Sequence, residues 1–63
     1  MPGWRPMAEF DPSKPALLHD KLNDRAIDWE PARHQRHYEA FAMPSDLGLI
    51  EWDGRLFDGW QPR

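Results

Sequence analysis

Apolar and polar residues alternate with a period of two in two stretches of the chain, and a helical spacing occupies the segment between them. Arg25-Ala26-Ile27-Asp28-Trp29 places Ile27 and Trp29 on one face of a strand and Ala26 and Asp28 on the other. The preceding run, Ala16-Leu17-Leu18-His19-Asp20, reads as its partner, with the polar reversal Lys21-Leu22-Asn23-Asp24 between them. Asn and Asp suit a reversal because their short side chains bond their own backbone and tolerate left-handed φ. Residues 16–29 are therefore expected to form a hairpin.

The second alternating stretch, residues 47–58, carries the sharper signal. Asp53-Gly54 lies between Leu49-Ile50-Glu51-Trp52 and Arg55-Leu56-Phe57-Asp58, and Asp-Gly favours a two-residue turn with both central φ positive. Such a turn sets Trp52 opposite Arg55 and Ile50 opposite Phe57 on one face, and Glu51 opposite Leu56 on the other. The Ile50 and Phe57 face is the expected core. The face with Glu51 and Asp58 is expected to meet water or a partner.

Between the hairpins, Pro31 fits the first position of a helix, and no proline or glycine interrupts residues 32–42. The spacing predicts a helix over 31–42 with Tyr38, Phe41 and Ala42 facing inward and His34 one turn earlier. Arg33, Arg36, His37 and Glu39 are expected in solvent, and Met43-Pro44 ends the helix. Residues 1–15 hold four of the seven prolines, which withhold backbone donors, so an extended arm or one edge strand around residues 4–10 is expected. The expected architecture is a single α+β domain over residues 1–63. It is a small antiparallel sheet of four or five strands in the order (β)ββαββ, with one helix packed on a face.

With 63 residues and no cysteine, the chain has material for one core and none for disulfides or thiolate metal sites. Four tryptophans, three phenylalanines and one tyrosine must therefore supply much of the burial. Trp29 and Trp52 sit in alternating strands and are expected in the core. Trp4 and Trp60, beside glycine or proline, suit either closing that core or anchoring a partner. A net charge of −3 argues against direct nucleic-acid binding, which a basic stripe would serve. The longest apolar run, residues 15–18, is far short of the ~20 residues that span a membrane, and no basic-then-apolar leader is present. A cytoplasmic location is expected.

The histidines are the first candidates for chemistry. His34 and His37, three residues apart on the helix, could share a metal with Glu30 or His19, yet zinc wants three or four converging ligands. Packing of His34 and exposure of His37 explain both, so neither metal nor cofactor is expected. Glu51 and Asp58 share a face, but so small a fold leaves little room for a catalytic pocket. Ser13 and Ser45 lie in loops near proline, where turn roles suffice, and the glycines are too scattered to cradle a phosphate. No catalytic residue is assigned, and a non-enzymatic role is expected.

The acidic residues are distributed more suggestively. Asp46, Glu51, Asp53 and Asp58 face a single base, Arg55, in residues 44–60, and Asp20, Asp24, Asp28 and Glu30 stand against Lys21 and Arg25. The helix opposes them with Arg33 and Arg36. The partner-binding candidates are therefore Asp46, Glu51, Asp53 and Asp58, with Trp60 or Trp4 as anchor, directed at a protein with a basic surface. The alternative is a self-associating module that buries its second sheet face in a homodimer.

Trp4-Arg5-Pro6-Met7, together with Glu51-Trp52-Asp53-Gly54 and Gly59-Trp60-Gln61-Pro62, resembles small Trp/Pro-bracketed phage and prophage proteins of uncertain function. The similarity covers the two ends of the chain, without the longer Trp-Met-Pro-Leu-Pro tail of one such group. It implies a phage setting. By analogy with small acidic phage proteins such as anti-CRISPR inhibitors, it implies a module that occupies the surface of a nucleic-acid-binding effector.

Overall fold

The computed structural model, which describes residues 3–45 and 47–63, brings both expected hairpins together in one antiparallel sheet. Strands β1 (Ala16–Asp20) and β2 (Arg25–Trp29) form the first hairpin, and helix α1 spans Pro31–Phe41. Strands β3 (Met43–Pro44), β4 (Ile50–Trp52) and β5 (Arg55–Pro62) follow, and the sheet order is β2-β1-β5-β4-β3. The architecture is α+β, as the alternating pattern predicts.

The local registers follow from the turns. Trp52 pairs with Arg55, Glu51 with Leu56 and Ile50 with Phe57, around Asp53 and Gly54 at φ 52° and 74°. In the first hairpin Asp24 takes φ 50°, and Leu18 pairs with Ile27. Strand β5 is the centre, pairing with β1 along one edge and with β4 along the other. Beyond β4 that second edge passes to the arm, where Arg5 and Trp60 exchange two backbone hydrogen bonds of 2.8 and 3.1 Å.

The arm departs from the expected strand after this single bridge. From Pro6, whose carbonyl accepts the Glu9 amide and the Trp60 indole N–H, the chain turns into a short 3₁₀ segment, Met7–Glu9, which buries Met7. Met43 and Pro44 end the helix as expected and also make a short edge strand, a position that proline tolerates.

The core lies between the sheet and α1. Met7, Ala16, Leu18, Trp29, Trp52 and Phe57 are buried, with Phe10, Ile27, Tyr38, Ala42, Ile50 and Trp60 packed around them. No residue of α1 is itself buried, so the helix is held by rings: Tyr38 lies 5.0 Å from Trp29 and 5.9 Å from Trp52, and His34 lies 5.1 Å from Trp29. Trp29 and Trp52 meet edge to face at 5.4 Å, a favoured aromatic arrangement.

One expectation for the helix is corrected. Phe41 is 63% exposed, because the inward stripe narrows to His34, Tyr38 and Ala42, and the Phe41 ring packs instead against His37 at 4.7 Å, tilted by 41°. His37 is exposed, as expected, and its Nδ1 also accepts the indole N–H of buried Trp52 at 3.0 Å.

Candidate functional site

Alternation along the strands sends a second set of side chains to the face away from the helix. His19 and Leu17 of β1, Asp28 and Ala26 of β2, Leu56 and Gln61 of β5, and Glu51 of β4 share that outer face. The register steps between β1 and β5: Asp20 pairs with Phe57 but His19 with Gly59, leaving Asp58 as an extra residue. This bulge keeps both Phe57 and Trp60 on the core side and turns Asp58 toward His19.

The result is a histidine between two carboxylates. His19 Nδ1 lies 2.5 Å from Asp58 Oδ1, and its Nε2 lies 3.1 Å from Asp24 Oδ1. The ring of Trp4 lies 5.3 Å from the imidazole, tilted by 46°. Trp4, Arg5, Pro6, His19 and Asp58 line a cleft of about 280 Å³. The hydrogen bond to Asp58 raises the His19 pKa above its ordinary value of 6.5; burial opposes the rise, and Asp24 reinforces it.

The neighbouring Asp20 points into the protein and is fully buried. Its carboxylate accepts from the Leu22 and Leu56 amides and the Asn23 side chain, tying the β1–β2 turn to β5. At the far corner the Arg63 guanidinium bonds Glu30, which lowers the Glu30 pKa, and lies 3.5 Å from Asp28.

The sequence-predicted site residues separate in space. Glu51 is exposed on the outer face, and Asp53 is exposed at the hairpin tip, 3.1 Å from Arg55. Asp58 is half-buried against His19. Asp46 lies outside the described residues. Trp4 lies on the outer face, whereas Trp60 faces the core side opposite Leu18. The Trp60 indole donates to the Pro6 carbonyl at 3.0 Å and its ring takes the Arg5 guanidinium at 5.3 Å, so it closes the core apart from the acidic face.

The fold sets Asp24 and Asp28 of the first acidic segment on the outer face, beside the binding candidates of the second hairpin. The role of His19 was also missed. Its pairing with Asp58 spans 39 positions and depends on a bulge, for which adjacent residues carry no signal. His34 and His37 lie on the helix side of the sheet, away from His19. Among the described residues no three histidines or carboxylates converge to hold a metal, and no helix is long and apolar enough to cross a membrane. Comparison with family models, curated proteins and solved structures found no match to this chain.

Proposed function

We propose that the chain is a non-enzymatic protein-binding module that acts in the cytoplasm as a phage-encoded, anti-CRISPR-like inhibitor. It blocks a basic, nucleic-acid-binding host surface through the outer face of its sheet. The observation that supports this reading is the segregation of charge across the sheet. Asp24, Asp28, Glu51 and Asp58 lie on the open face around half-buried Leu17 and Leu56, with Asp53 at its rim, against Arg63 at the corner beside Asp28 and Arg55 beside Asp53. Arg33 and Arg36 lie on the helix, which covers the other face.

Carboxylates on such a face lose water favourably only when Arg or Lys groups replace it, which fits a surface built to hold phosphates. Trp4 offers a half-buried apolar ring beside Asp58. Steering between the two charged surfaces makes association fast and sensitive to salt.

The test pairs Asp28→Lys with Glu51→Lys, two exposed positions outside the core. The unaltered chain is expected to capture a basic host protein and to displace nucleic acid from that protein once purified. The double variant, folded by circular dichroism, is expected to do neither. Equal capture and displacement by the variant would overturn the reading, and a concentration-dependent dimer in sedimentation that buries the outer face would replace it with self-association.

A further inference from the structure

We propose that His19 is a proton-operated clasp: as the imidazolium it ties Asp24 of the β1–β2 turn to Asp58 of the β5 bulge. Loss of its proton releases Asp24 and leaves the outer face one charge more acidic. The inference follows from counting donors. An ionised carboxylate only accepts hydrogen bonds, so oxygens at 2.5 Å from Nδ1 and 3.1 Å from Nε2 both require an N–H. Neutral imidazole has one N–H, and its other nitrogen would point a lone pair at a carboxylate.

The geometry also decides which contact opens. Asp58 makes the shorter bond from within the sheet and is 31% exposed, whereas Asp24 makes the longer one from a turn and is 91% exposed. The groups facing His19 from the packed elements are Asp24 from the turn, Asp58 from β5, and Trp4 and Arg5 from the arm. The Trp4 ring at 5.3 Å attracts a cation, while the Arg5 guanidinium lies against Trp60. Three of these contacts therefore favour the charged ring, and the raised pKa agrees with them.

The sign of the linkage is fixed. A histidine whose folded pKa is raised contributes stability that is fully present below its unfolded value, near 6.5, and lost as pH rises through the folded value. Above that point the clasp is open. The same proton sets the charge of the proposed docking face, but the device can be read on the free chain, so it stands or falls separately from the docking reading.

The experiment is a pH titration of the intact, isotope-labelled chain, following the His19 ring nitrogens, the Asp24 carboxyl carbon and the Trp4 indole N–H by NMR. Both ring nitrogens are expected to remain protonated past pH 6.5, with the Asp24 and Trp4 signals moving at the same midpoint. Asp58→Asn is expected to lower the midpoint most, Asp24→Asn less, and Asp28→Asn, on the same face but away from the ring, not at all. Asp24 has φ 50°, which asparagine tolerates, so that variant keeps the test available if Asp58→Asn does not fold. A His19 midpoint at or below 6.5, or an Asp24 signal that stays fixed while His19 titrates, would overturn the proposal.

Discussion

Trp4 and Gly59 touch across the outer face: a Cβ placed on Gly59 would stand 3.0 Å from the Trp4 Cβ and 3.4 Å from the Arg5 carbonyl oxygen. The two backbones run this close because Arg5 and Trp60 exchange both of their hydrogen bonds, leaving no room for a side chain. Gly59→Ala is therefore expected to push the arm from the sheet and lower stability by about 1–3 kcal/mol, the usual range for overpacking. Urea denaturation measures the loss, and the Trp4 indole signal should shift with it. Unchanged stability would mean that the arm gives way freely.

At the tip of the second hairpin the constraint is conformational instead. Gly54 has φ 74° with nothing near the position of an added Cβ, so Gly54→Ala strains the backbone without a clash. The expected loss is about 1–2 kcal/mol, the penalty for an L-residue in left-handed backbone. Asp53→Asn, at φ 52°, is expected to be close to neutral, because asparagine accepts that conformation and the exposed pair with Arg55 is worth little. Thermal unfolding of the two variants should separate them clearly.

What could be read in the sequence was local. Asp53-Gly54 and the alternation around it give the register of the second hairpin, and Ile27 and Trp29 mark the inner face of the first. Trp29 and Trp52 are buried as their positions in alternating strands imply. The pairing of β1 with β5 was not legible, because it joins distant segments and includes a bulge, and with it the contact of His19 with Asp58 was lost. The arm's turn after Pro6, which buries Met7, is fixed at the Pro6 carbonyl by the Glu9 amide and the indole of distant Trp60, a contact that adjacent residues do not signal. Asp20 reads as the polar end of a strand. Only the assembled sheet makes it a buried acceptor for the turn on one side and Leu56 on the other.

The pairing of His37 with Trp52 shows how an exposed helix residue can matter to the core. The indole N–H of Trp52 is a donor on a buried ring, and His37 Nδ1 is its hydrogen-bond acceptor at 3.0 Å. His37→Ala is expected to cost about 0.5–1.5 kcal/mol, the net worth of one hydrogen bond, because removal of this exposed side chain lets water reach the donor while the ring stays in place. His37→Gln, whose side-chain oxygen can accept the same proton, should recover part of that loss. If alanine and glutamine behave alike in chemical denaturation, the hydrogen bond contributes nothing and only the packing of the side chain counts.

Asp20 is expected to set the acid limit of the fold, opposite in sign to His19. Burial by itself would raise its pKa, but hydrogen bonds from the Asn23 side chain and the Leu56, Leu22 and Asn23 amides outweigh burial and hold it below 3.8. A carboxyl group depressed in this way contributes stability that is present above its unfolded value, near 3.8, and lost as pH falls through the folded value. Asp20→Asn keeps the volume but turns an NH₂ toward donors that need an acceptor. It is expected to lower stability at neutral pH by about 1–3 kcal/mol. Its urea midpoint should also fall less steeply as pH drops below 3.8 than that of the unaltered chain. Parallel acid limbs in the two proteins would assign the loss of stability in acid to other carboxylates, such as Glu30 with Arg63, whose contact is exposed and screened by salt.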